Sequence, residues 1–200
     1  MRRVVAVGVL AVGLAAGLPA SARAQTAIEL RGSTARYRFA DLNHTFASGV
    51  MLDALYVGVP GQDEFYLGLG YTWKASRGLT LIPLAYGVAG VQKEERGIVL
   101  GAYVLGDAGP WKLIAFAGRF VRTSGGVSTY DFGDSLDLTY KVAGRWDAGV
   151  SSSVYRQDTG WSHLTGPVVR RTDPRGSWAL SVRRGYDTEV RLVRILTFGE

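Results

Sequence analysis

The chain contains two histidines, His44 and His163, and His163 directly follows Ser162. A serine in contact with a histidine, backed by an acid, is the nucleophile arrangement of acyl-transfer enzymes, including lipid deacylases. On an extended segment, however, sequence neighbours point to opposite faces. Ser162 and His163 therefore cannot form a nucleophile–base contact directly, and His163 reads as a polar residue of a strand. His44 sits near Asp41 and Asn43 in a polar stretch, residues 41–48, that reads as a loop. Asp131, Asp134 and Asp137 suggest a cation site. By parity Asp134 lies on the opposite face from the other two, and those two are too far apart along a strand to share one ion. Gly68 and Gly70 have no helix after them and do not make a phosphate loop. The chain has no Cys, which excludes disulfides and thiolate metal sites. No catalytic, cofactor-binding or metal-binding set is expected.

What remains is a set of charged side chains, each opposite an apolar face: Glu64, Lys74, Asp131, Asp137, Lys141, Arg145, Asp147, Arg183, Glu189 and Arg191. The elements that carry them decide what they can do. In residues 130–142, Tyr130, Phe132, Leu136, Leu138, Tyr140 and Val142 alternate with Asp131, Gly133, Ser135, Asp137, Thr139 and Lys141, and Asp134 falls on the apolar side. This period of two is the signature of a strand with unlike faces. A turn at Ala143–Gly144 follows, and Trp146, Ala148, Val150 and Val154 then alternate with Arg145, Asp147, Gly149, Ser151, Ser153 and Tyr155.

The same unit recurs, giving ten strand-like segments at residues 49–59, 64–74, 78–91, 97–106, 111–122, 128–142, 145–157, 161–171, 177–184 and 188–198. Turn chemistry separates them, at Pro60-Gly61, Ser76-Arg77-Gly78, Glu95-Arg96-Gly97, Asp107-Ala108-Gly109-Pro110, Ser124-Gly125-Gly126, Asp158-Thr159-Gly160 and Asp173-Pro174-Arg175-Gly176. Regular spacing of this kind predicts an all-β meander. Upstream, the parity of apolar residues flips at Gly32-Ser33, which requires a bulge or a short hairpin. A hairpin there raises the strand number from ten to twelve. Pro83 and Pro167 fall inside segments, where a sheet wants every N–H.

An open meander of this size would expose two edges, and closure removes them. Two closed forms are available: a soluble, lipocalin-like barrel that is apolar inside and binds an apolar ligand, or a membrane barrel that is apolar outside. Segments of this length suit tilted membrane-spanning strands. Aromatics gather near segment ends, among them Trp73, Trp111, Trp146, Trp161, Trp178 and Phe198. Residues 79–91, 98–105 and 113–120 are apolar on both faces, which favours lipid outside and their small residues in the lumen.

The N-terminus points to export. Met1-Arg2-Arg3 is basic, residues 4–18 are apolar and small, and Ala22-Arg23-Ala24 is an Ala-x-Ala cleavage pattern. This reads as a secretory signal peptide over residues 1–24, with residues 25–200 as one barrel domain. Removing residues 1–24 takes away Arg2, Arg3 and Arg23 and no acid, leaving 20 bases against 17 acids, a net +3. Those bases are interleaved with acids, so no nucleic-acid partner is expected.

Signal peptide, alternating strands and aromatic ends together resemble the small bacterial outer-membrane β-barrel proteins. The resemblance implies a closed antiparallel up-and-down transmembrane β-barrel, an outer-membrane location, and outer-membrane lipid and the barrel-insertion machinery as partners. It also implies a narrow pore or a structural membrane protein without enzymatic activity, in which the ten charged residues point into the lumen. A lipid-modifying outer-membrane enzyme is the remaining alternative.

Overall fold

The computed structural model describes residues 24–91, 96–124, 128–157 and 160–199. The expected signal peptide lies outside these residues except for Ala24, as do the turn residues Glu95, Gly125, Gly126, Asp158 and Thr159.

Thirteen strands follow one another: β1 (Gln25–Ser33), β2 (Arg38–Thr45), β3 (Val50–Val59), β4 (Gln62–Tyr71), β5 (Trp73–Ser76), β6 (Leu79–Gly90), β7 (Arg96–Ala108), β8 (Trp111–Ser124), β9 (Tyr130–Ala143), β10 (Trp146–Gln157), β11 (Gly160–Asp173), β12 (Gly176–Gly185) and β13 (Thr188–Phe198). β4 and β5 are one stave interrupted at Thr72, and both pair with β6. Each stave pairs antiparallel with the next, and β1 pairs with β13 to close the ring. The result is a twelve-stave up-and-down barrel. All ten segments expected from sequence are staves, and the hairpin β1–β2 adds the other two.

The stretch at residues 41–48 is not the expected loop, because β2 runs through Asp41 to Thr45. Polarity suggested a loop, but in this wall polar residues line the inside. Both internal prolines fall at gaps in a ladder. Pro83 pairs with Ala102 on one side and meets the β4–β5 interruption on the other. Pro167 pairs with Val150, and on its other side the β11–β12 ladder skips from Thr165 to Val168. Neither proline removes a donor that the sheet uses.

The faces are those of a membrane barrel. Leu67, Leu138 and Leu180 are 71%, 48% and 50% exposed on the outer wall, whereas Asp137 and Arg183 are buried inside. A soluble, lipocalin-like barrel requires the reverse. Four of the five tryptophans, Trp73, Trp111, Trp146 and Trp178, ring the outer wall at the end that holds both chain termini, together with Tyr140 and Phe198. Trp161 and Phe65 stand on the wall at the other, distal end.

One expectation about the wall is reversed. On β6 the large residues Ile82, Leu84, Tyr86 and Val88 point inward, and Pro83, Ala85, Gly87 and Ala89 point out. The inward bulk packs as one cluster along β6–β8, and a small residue facing lipid is harmless. Inward glycines on neighbouring strands make room for this bulk. A Cβ on Gly68 would lie 2.3 Å from Tyr86 Cδ1, and one on Gly101 2.9 Å from Phe116 Cζ.

Candidate functional site: a lumen latched at its waist

The lumen has two unlike sides. Along β6–β8, Ile82, Leu84, Tyr86, Val88, Val99, Phe116 and Phe120 form a buried apolar cluster with Met51. Its rings interlock: Tyr103 and Phe116 lie 4.5 Å apart, Phe116 and Phe132 5.7 Å, and Phe120 and Tyr130 5.2 Å. The other side, from β9 through β13 to β1, is ionic.

Its central feature is a chain of alternating charges. Arg31 Nη1 donates to Asp134 Oδ2 at 2.5 Å, and Arg191 Nη1 donates to Asp134 Oδ1 at 2.8 Å. Glu29 accepts from Arg31 Nε at 2.6 Å, Glu189 lies 3.4 Å from Arg191 Nε, and Arg183 pairs with Glu189. Three acids thus balance three arginines. Arg31 also stacks over Phe39 at 4.1 Å, and Arg191 over Tyr37 at 4.4 Å. β1 and β13 are adjacent, whereas β9 lies across the ring from them. The Asp134 pairs therefore bridge the lumen rather than decorate one wall.

A bulge produces this bridge. Ser135 has φ 61°, in the left-handed region, and the register of β9 shifts by one residue against both neighbours there. An extra residue in one strand inverts parity beyond it. Asp134, Phe132 and Tyr130 consequently face inward, while Asp137 and Thr139 also remain inside.

The same inversion corrects the expectation for Asp131. It lies on the outer wall, where it accepts from Arg119 Nε at 2.6 Å and Nη2 at 2.9 Å. Arg145 is not on a strand either. It occupies the exposed two-residue turn between Ala143 and Trp146, with Gly144 at φ 50°.

The remaining members of the expected set are placed as follows. Glu64 is buried inside and accepts from Tyr66 Oη at 2.6 Å. Asp137 pairs with Arg170 at 2.8 Å, and Asp147 with Lys112 at 3.1 Å. Arg183, Glu189 and Arg191 belong to the charge chain. Lys74 lines the cavity at the terminal end, and Lys141 is exposed near the end of β9. Arg31, Asp134 and Arg170 were missed by sequence reading. Arg31 and Arg170 do alternate with outward Leu30 and Val169, a signal that parity could have revealed.

Among the described residues, two of the cavities of the lumen share no lining residue. The one at the terminal end is about 640 Å³ and is lined by Glu29, Asp41, Asn43, Lys74 and Tyr103, among others. The one at the distal end is about 480 Å³ and is lined by Tyr37, Glu64, Tyr155, Glu189 and Arg191, among others. The charge chain runs from one to the other: Glu29, bonded to Arg31, lines the terminal cavity, and Arg191, bonded to Asp134, lines the distal one.

Ser162 lines the distal cavity. His163 points to the outer wall, so the two stand apart as their parity requires. His44 Nδ1 bonds Thr26 Oγ1 at 2.8 Å across β1–β2. Among the described residues no cluster of His, Cys, Asp and Glu could hold a metal ion.

No family model and no curated protein matches the chain. Its fold does match a solved porin. The KdgM porin superposes with a TM-score of 0.63 at 12% identity, over 86% of this chain and 99% of that one. The same porin in complex with disordered oligogalacturonate matches with a TM-score of 0.61 at 9% identity, over 88% and 99%. The chain shares a porin's fold. It is a closed β-barrel similar to outer-membrane porins along nearly the whole length of the solved chains.

Proposed function

We propose that the protein is a bacterial outer-membrane channel for small polar solutes, closed at its waist by the Arg31–Asp134–Arg191 latch. The observation that carries this reading is the pair of lumen cavities, one at each end, separated by ion pairs that cross the barrel. Porins share the fold, which supports the reading. An outer wall of leucine and valine with aromatic rims belongs in a bilayer. The basic, apolar and Ala-x-Ala segments of residues 1–24 act as the export signal, with cleavage after Ala24. An even number of staves puts both termini on the periplasmic side and the distal end outside.

The channel works without catalysis. Ser162 and His163 face opposite sides of the wall and cannot cooperate. A single carboxylate links the two sides of the waist, so a passing ion that screens or replaces it uncouples β9 from Arg31 and Arg191, which keep Glu29 and Glu189 as partners. The complex of the similar porin makes oligogalacturonate the first solute to test.

The test begins with fractionation and gel mobility with and without boiling. The expected result is an outer-membrane protein that migrates faster unboiled. Purified protein in planar bilayers should show small conductance steps, enlarged in Asp134→Ala. Recovery in the soluble periplasmic fraction overturns the reading, as do silent bilayers for both the wild type and a folded Asp134→Ala.

A further inference from the structure

We infer that the outer wall at the distal end carries a site for the phosphate of a lipid headgroup, formed by Arg119, Asp131, Arg156 and Trp161. The site rests on the membrane-spanning reading. β8, β9 and β10 are neighbours, and their register sets Arg119 opposite Asp131 and Asp131 opposite Arg156. Asp131 takes a two-pronged contact from Arg119 and holds Arg156 Nη1 at 3.9 Å. The Arg156 guanidinium lies over the Trp161 ring at 5.6 Å. The carboxylate thus fixes two guanidinium groups side by side.

Three features select a phosphate. The cluster holds two cations against one anion, so it keeps a surplus positive charge. Elsewhere on this rim, Asp63 accepts from Arg38 at 3.2 Å and from Tyr56 Oη at 2.6 Å. Next, the arginine side chains are 59% and 58% exposed while the aspartate is 29% exposed, so donors remain accessible around a shielded anion. A guanidinium has five donors, and Arg119 spends two on Asp131. Planar forks held in place suit the oxygens of a phosphate.

Location selects the source. The row stands on the wall that faces lipid, not in the lumen, and Asp131 and Arg156 each lie one residue inside a strand end. That depth is the interface, where a charge on the wall is tolerated and headgroups sit. An indole beside it is the usual interfacial anchor.

Native mass spectrometry of the full chain in neutral detergent tests the site, with lipid A as the probe. Wild type should retain lipid A, and Arg119→Gln/Arg156→Gln should bind it about tenfold more weakly. Arg119→Lys/Arg156→Lys keeps the charge but not the fork and should fall between. Arg38→Gln should bind as wild type does. Unboiled gel mobility reports whether each barrel is folded, and the lysine variant decides the matter if the glutamine variant is not. Three results overturn the proposal: wild-type binding by the folded double variants, equal retention of dephosphorylated lipid A, or displacement by millimolar inorganic phosphate, which assigns the cluster to the free anion. Fractionation reports on the membrane reading separately, so the two can fail independently.

Discussion

The two halves of the lumen wall solve the same problem in opposite ways. Both must bury side chains inside the waist of the barrel between the two cavities. The β6–β8 side does so with rings and aliphatic chains, including Tyr86, Val99 and Phe120, each at most 2% exposed. The β9–β13 side does so with charges that cancel in pairs, including Arg183 and Glu189, also at most 2% exposed. The apolar side offers a passing ion few polar groups, chiefly Lys112, already paired with Asp147, and the hydroxyls of Tyr86 and Tyr103. The ionic side also retains buried polar atoms without a protein partner, such as Arg183 Nε, Arg170 Nε and Ser153 Oγ, and groups of that kind need water. In the channel proposed above, the ionic side is the one that conducts, and the dry side is the scaffold against which it is held. β9 is the seam: Phe132 packs with the rings, and Asp134 pairs with the arginines.

Breaking the seam should have the largest effect. Deleting Ser135 removes the bulge, so part of β9 must present its wrong face. The expected loss exceeds about 5 kcal/mol, because several side chains change environment together. The check is disappearance of the fast-migrating unboiled band. A deletion variant that still folds and keeps its conductance would dissolve the two-sided account.

Next comes a test of the dry side alone. Phe116→Ala should cost about 3–5 kcal/mol in urea unfolding and leave ion selectivity unchanged. A change of selectivity would mean that ions also touch this wall. Asp134→Asn tests the wet side. It keeps the shape but removes the charge between Arg31 and Arg191, at a cost of about 1–3 kcal/mol. Conductance should rise and selectivity should move toward anions, as bilayer reversal potentials in a salt gradient would show. Arg38→Gln should do least. Its side chain is 65% exposed, so stability should stay within about 0.5 kcal/mol and conductance should not move.

Much of this was legible in the chain, because a membrane barrel writes its two environments into odd and even positions. Outward Leu67, Leu69, Leu138 and Leu180 declared the wall, and inward Asp137, Asp147, Arg183 and Arg191 declared much of the ionic side. Parity failed where the backbone added a residue. Ser135 is an ordinary serine in sequence, and only its positive φ reveals that Asp131 and Asp134 have exchanged sides. Polarity failed in β2, where Asp41, Asn43 and Thr45 alternate with Leu42 and His44 as a wall stave should, yet look like a loop when averaged. Residue size failed in β6, because the rule that large residues meet lipid ignores the inward cluster that Ile82, Leu84, Tyr86 and Val88 form with Val99, Phe116 and Phe120. The latch joins β9 to β1 and β13, and no local pattern announces a contact made through closure.

The seam between β1 and β13 pairs Thr26 with Phe198 and runs to Ser33 and Arg191. No partial chain can make it, since one partner is the first strand and the other the last. Until β13 is present, the ribbon has two raw edges and a greasy outer surface. Closure therefore has to wait for β13, and until then the open edges can pair between different molecules.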